Sequence, residues 1–206
     1  MVSPGDIHVW RIDLDSPRED LWPPPEAAEA ERAARFATAL MGRRYLRSHG
    51  ALRAILRAEV GREPRIGVAE GGKPWLPDTP RWRFNLSHSR ETALVAVALD
   101  VEVGVDVEWN RPHPTGDAIA SRYFPPAEAA AFLALPAEGR QREFFRLWTR
   151  LEARWKALGV GLRGAGREIE GPWTVQDLTL DDAVAAAVAA PSPDMRVFLH
   201  AFGDDQ

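Results

Sequence analysis

Residues 6–14 alternate between apolar and polar side chains, the period of a strand with one buried face. A Pro-rich, acidic stretch at 15–25 predicts a loop. Helical periodicity runs from Glu26 to about Val60, with a break expected near Gly42. Gly71-Gly72-Lys73-Pro74 predicts a turn. Beyond it, residues 82–87, 92–99 and 101–109 read as strands, the second a continuous apolar run and the third alternating. A Pro- and Gly-containing loop at 110–117 leads to helical segments at about 117–122 and 126–135. A long helix is expected from about 141 to 158, stopped by Gly159 and Gly161. Strands are expected at 173–178 and 195–202, while the Ala- and Val-rich run at 181–190 suits either a helix or a strand.

These elements make an α+β chain. A faint repeat with an offset of 102 residues aligns Pro24, Glu26, Ala27 and Ala28 with Pro126, Glu128, Ala129 and Ala130. Arg44, Ala51 and Leu56 align with Arg146, Ala153 and Leu158 in the same register. The expectation is two similar α/β halves, 1–102 and 103–206, with a cleft between them as the natural place for a site. Gly50 falls opposite Glu152, so the chemistry is expected to be lopsided.

Bulk composition narrows the function. The chain has 206 residues, 45% of them hydrophobic, which suits one ordinary domain or two small ones. Its net charge of -4 argues against a general nucleic-acid binder. It has no cysteine, so neither disulfides nor thiolate metal sites are available. No signal-peptide pattern opens the chain, and its apolar runs are too short to cross a bilayer. A cytoplasmic protein without a membrane partner is therefore expected. Only two of its 26 basic residues are lysines, Lys73 and Lys156. A compact ammonium differs chemically from a guanidinium fork, so these two positions invite a functional reading.

Gly104-Val105-Asp106-Val107-Glu108 would place Asp106 and Glu108 on one face of a strand. Two adjacent carboxylates repel unless a cation lies between them, and oxygen ligands alone favour Mg²⁺. The plain alternative is a solvated strand edge. On the long helix, Phe144, Trp148, Leu151, Trp155 and Leu158 form an apolar face. Glu152 borders it, with Lys156 one turn away; an ordinary surface pair is the competing reading. Asn85-Leu86-Ser87-His88 could offer Ser87 and His88 to a phosphate, or be simple turn chemistry. Seven arginines between Arg32 and Arg57, with no acidic residue among them, create a local positive field that calls for an anionic partner.

In order, Gly72-Lys73-Pro74, Asn85-Leu86-Ser87-His88-Ser89, Gly104-Val105-Asp106-Val107-Glu108 and Trp148-Thr149-Arg150-Leu151-Glu152-Ala153 with Lys156 resemble the signature of the 4′-phosphopantetheinyl transferase superfamily, in its monomeric, pseudo-dimeric class. The resemblance spans roughly residues 32–162. It implies transfer of phosphopantetheine from coenzyme A to a serine of an apo acyl or peptidyl carrier protein, with release of 3′,5′-ADP. It also implies a pseudo-twofold between the halves and a monomer. Asp106, Glu108 and Glu152 would hold Mg²⁺. Arg44, Lys73, Ser87, His88 and Lys156 would contact the phosphates of coenzyme A, with Arg32 a further candidate. Glu152 would act as base, and Lys156 would steady the leaving group. Two positions depart from the family pattern: Leu151 and Glu29 stand where lysine is usual. The chain is also expected to be shortened around 160–172. Leu151 motivates an alternative, a homologue that binds coenzyme A or a carrier without catalysis.

Overall fold

A computed structural model of the chain describes residues 2–161 and 171–204. Its strands are β1 (Asp6–Asp13), β2 (Gly67–Val68), β3 (Pro74–Trp75), β4 (Trp82–Ser89), β5 (Thr92–Leu99), β6 (Gly104–Trp109), β7 (Thr174–Asp177), β8 (Val184–Ala190) and β9 (Arg196–Ala201). Its α-helices are α1 (Ala27–Ala33), α2 (Ala39–Val60), α3 (Gly116–Tyr123), α4 (Pro126–Leu133) and α5 (Ala137–Leu158). The chain is thus a mixed helix and sheet protein. The shortening expected around 160–172 falls largely outside the described residues. No helix among the described residues is long and apolar enough to cross a membrane.

The first sheet has the order β4-β5-β1-β9 and the second β6-β8-β7. All pairs are antiparallel except β1 and β9, which run parallel from Asp6↔Arg196 to Arg11↔Ala201. β5 explains the layering. Its apolar run is buried on both faces: Ala93, Val95 and Val97 meet Leu52, Ile55 and Leu56 of α2, while Leu94, Ala96 and Ala98 meet the second sheet. The second sheet offers Val103, Val105, Val107, Val184 and Val188 to that shared core. Its other face, through Ala187 and Ala189, receives Ala153 of α5. The layers therefore run α2, first sheet, second sheet, α5.

Three expectations need refinement. The break in the N-terminal helix lies at 34–38, not near Gly42. Thr38 caps α2 by accepting a hydrogen bond from the Met41 amide. Gly42 is buried within α2, where an added Cβ would stand 2.8 Å from the Ala33 carbonyl oxygen, so the glycine serves close approach. The run at 181–190 is a strand, β8, because its small side chains let α5 lie flat on the sheet. On α5, Phe144, Leu151 and Trp155 are buried among Phe124 and Phe132 as the periodicity predicts, whereas Leu158 is exposed at the helix end.

Candidate functional site

The two sheets meet at their edge strands, β4 and β6, through side chains instead of a backbone ladder. Asn85 Oδ1 accepts from the Val105 amide at 2.9 Å, Ser87 Oγ from the Val107 amide at 3.4 Å, and Ser89 Oγ from the Trp109 amide at 3.1 Å. Three alternate positions on one strand thus serve three alternate amides on the other, as the period of a pleated strand requires. The same hydroxyls then donate to the carboxylates between those amides: Ser87 to Asp106 Oδ1 at 2.9 Å and Ser89 to Glu108 Oε2 at 3.3 Å.

Helix α5 closes this groove. A Cβ placed on Gly104 would lie 2.0 Å from the Ala153 carbonyl oxygen and 2.4 Å from the Ala157 amide, so helix and strand touch backbone to backbone. That approach lowers Glu152 and Lys156 onto β6. Lys156 Nζ stands 2.5 Å from Asp106 Oδ1, 2.9 Å from Ser87 Oγ and 3.8 Å from Glu152 Oε2. The structure therefore brings Ser87, Asp106, Glu108, Glu152 and Lys156 to one groove, and Asp106 and Glu108 share its face.

The electrostatics are those of crowded acids. Asp106 is 2% exposed. Burial pushes the Glu152 carboxyl up to about 7; Asp106 and Glu108 add to the rise and Lys156 opposes it. Burial, then the charge of Asp106, also raises Glu108. Asp106 Oδ2 is buried with no hydrogen-bond partner, a cost that a cation would remove. A donor set of carboxylates and hydroxyls fits a hard divalent ion. Among the described residues, no three or more His, Cys, Asp or Glu side chains are arranged so that they could hold a metal ion; the Lys156 ammonium stands against Asp106 instead.

Other expected residues lie elsewhere. His88 projects from the opposite face of β4 to Ser87, is exposed, is close enough to feel the charge of Lys156, and itself acts on His49. Lys73 lies outside the groove and gives its ammonium to Glu102 and to the Val103 and Ala157 carbonyls. Arg44 holds Asp15 at 2.5 Å and Glu91 at 3.3 Å. Much of the positive field of α1 and α2 is met internally. Arg47 binds Glu19 and the Leu14 and Ser16 carbonyls, Arg53 binds Glu29 and the Pro24 carbonyl, and Arg32 lies over the Tyr45 ring. Glu29 serves that pairing and the cap of α1. Sequence reasoning missed Asn85 and Ser89 as partners of β6, although their spacing matches that of 105 and 109. It also missed Glu102, which lies between the Gly-Lys-Pro turn and the acidic strand without a motif of its own.

A family model described as the 4′-phosphopantetheinyl transferase superfamily matches residues 102–189. The chain is 35% identical to the 4′-phosphopantetheinyl transferase HetI of Nostoc sp. over 206 residues, covering 89% of this chain and 87% of the relative. It is 34% identical to the 4′-phosphopantetheinyl transferase psf-1 of Bacillus pumilus, covering 78% and 76%. Against the 4′-phosphopantetheinyl transferase AcpT of Salmonella typhi the identity is 31%, covering 81% and 82%.

Proposed function

Since the chain belongs to the 4′-phosphopantetheinyl transferase superfamily and is an enzyme of that class, we propose that it transfers phosphopantetheine from coenzyme A to a serine hydroxyl of an apo acyl or peptidyl carrier protein. The observation that carries this reading is the groove in which Lys156 meets Asp106 and Glu152, with Glu108 on the same strand face. Asp106, Glu108 and Glu152 would hold Mg²⁺, which supplies charge neutralisation on the pyrophosphate when bound.

The remaining roles belong to side chains. Glu152, whose carboxyl its surroundings push up to about 7, takes the proton from the carrier serine in its ionised form. The serine oxygen forms a bond to the phosphorus that bears pantetheine, and the bond from that phosphorus to the oxygen of 3′,5′-ADP breaks. Lys156 balances the charge that develops on the departing phosphate. Ser87 fixes the rotamer of Asp106 and faces the phosphates beside Lys156. His88 and Arg44 contact phosphate from the rim, Arg44 by loosening its hold on Glu91. Lys73 is left out of this set because three oxygens already occupy its ammonium.

The two-halves reading, 1–102 and 103–206 with a pseudo-twofold, belongs to the same proposal, as does a monomeric, cytoplasmic enzyme. The halves are supported by the layer order and by a 22-residue helix in each, α2 and α5; β9 crosses back to pair with β1. The non-catalytic alternative draws on Leu151. That side chain packs in the aromatic cluster and leaves Glu152 and Lys156 over β6, which supports catalysis.

The test is incubation with coenzyme A, Mg²⁺ and a panel of apo acyl and peptidyl carrier proteins, read by intact mass. A gain of one phosphopantetheine on the carrier serine, dependent on coenzyme A, is expected. Binding of coenzyme A with no gain on any carrier would establish the non-catalytic homologue instead.

A further inference from the structure

Lys73 sits outside the carboxylate groove but touches the helix that carries Glu152 and Lys156. Its Nζ donates to the Ala157 carbonyl at 2.6 Å, to the Val103 carbonyl at 3.3 Å and to Glu102 Oε2 at 2.5 Å. Ala157 directly follows Lys156 in the last turn of α5, where carbonyls lack helical partners and carry the negative end of the helix dipole. Val103 directly precedes Gly104, the first residue of β6. A single ammonium therefore joins the end of the helix to the start of the strand. The turn around it is fitted to the same place. A Cβ on Gly159 would meet the Lys73 stem at 3.4 Å, and one on Gly71 would stand 2.9 Å from the Gly159 carbonyl oxygen. Glu102 is itself anchored, because its Oε1 takes Arg83 of β4 at 2.7 Å.

We propose that Lys73 is a positioning residue: it fixes the last turn of α5 over β6, and so the spacing of Glu152 and Lys156 from Asp106 and Glu108, with Glu102 as its counter-ion. The catalytic consequence rests on the transferase reading; the fastening itself does not. Removing the amine strands the Ala157 and Val103 carbonyls, while Glu102 keeps Arg83, and the helix end relaxes to solvate them. Gly104 allows no compensating approach from the strand side, because helix and strand already touch there. A displacement of this kind lowers the rate of a positioned reaction without weakening substrate binding.

The experiment compares Lys73→Met, Glu102→Ala and the double variant in the full chain. Steady-state transfer is measured with coenzyme A varied, and amide hydrogen exchange is followed across 153–159 in the protein alone. Both single variants are expected to lose about tenfold or more in kcat with KM for coenzyme A within about twofold, and the double variant to be no worse than Lys73→Met. Exchange at 153–159 should quicken in each. Lys73→Gln, which keeps a donor without the charge, is read the same way should Lys73→Met not fold. The proposal is overturned if Lys73→Met raises KM for coenzyme A while kcat holds and Glu102→Ala lowers that KM, since a freed lysine would then be a phosphate ligand. Unchanged exchange in Lys73→Met overturns it as well. Should the wild-type chain modify no carrier, the transferase reading falls and exchange alone decides the fastening.

Discussion

The carbonyl oxygen of Ala153 occupies the space that a side chain on Gly104 would need, with only 2.0 Å between it and an ideal Cβ. Glycine in the acidic motif thus sets how deeply α5 settles, and with it how near Lys156 comes to Asp106. Gly104→Ala is expected to cost about 1–3 kcal/mol of stability through overpacking. It should also cut transfer more than an equally destabilising substitution at Leu56, which lies on the buried face of α2. Thermal melts and rates for both variants check this; wild-type melting for Gly104→Ala would show that the contact is soft.

Lys156 shields the most buried acid of the groove. Lys156→Met takes the ammonium from the buried Asp106 carboxyl and leaves it only the Ser87 hydroxyl, so a loss of about 3 kcal/mol is expected in metal-free buffer. A divalent ion should recover much of it by taking the vacated place. Lys156→Arg is expected to melt nearly normally and turn over about 10²-fold more slowly, because a planar fork cannot sit where a point charge does. Chelated and Mg²⁺-containing melts, run beside the transfer assay, separate these effects.

Glu152 links stability to pH. Its folded carboxyl titrates at about 7, above the ordinary value of 4.5, so between these limits the folded protein binds more protons than the unfolded chain. Stability from this group is full below 4.5 and is lost as pH rises through about 7. Metal-free protein should therefore lose melting temperature across that window, and Glu152→Gln should flatten the loss. Mg²⁺ should raise the melting temperature more at the alkaline end, since it competes with protons for the same oxygens. An equal gain at both ends would remove Glu152 from the set. Transfer by Glu152→Gln should fall by about 10²–10⁴ if it is the base.

The arginines of α2 divide by burial. Arg53 and Glu29 pair with side chains only 9% and 12% exposed, whereas Arg57 and Glu63 lie 3.8 Å apart at 70% and 67%. Arg53→Ala is expected to destabilise by about 3 kcal/mol, because it takes the counter-charge from a largely buried carboxylate that keeps only the Glu26 amide. Arg57→Ala should stay within about 0.5 kcal/mol. Urea unfolding of both checks the contrast; equal effects would mean that the Glu29 pair is no more than a surface contact.

Much of this was legible in the chain. Alternation marked β1 and β6, the continuous apolar run marked β5, and helical period marked the aromatic face of α5. Local reading failed where the cause is distant. The partners of the α2 arginines, Asp15, Glu19, Glu29 and Glu91, lie outside the basic run, so the field looked unspent. Gly42 resembles a helix breaker until the Ala33 carbonyl is seen beside it. The 181–190 run carries alanine because a helix must lie on it, a tertiary demand that overrides helix propensity. Ser87 and His88 are adjacent in sequence, yet a pleat turns them to opposite sides.

The parallel pairing of β9 with β1 also fixes an order of events at the ribosome. Arg196 is added 190 residues after its partner Asp6, a delay on the order of ten seconds or more at ordinary elongation rates. Throughout that interval β1 has an open edge, although β5 can already pair with it and β6 can already receive the side chains of β4. The nascent chain can thus lay the acidic strand β6 against β4 well before β7, β8 and β9 exist, and those three later strands together complete the second sheet and cover the open edge of the first against wrong partners.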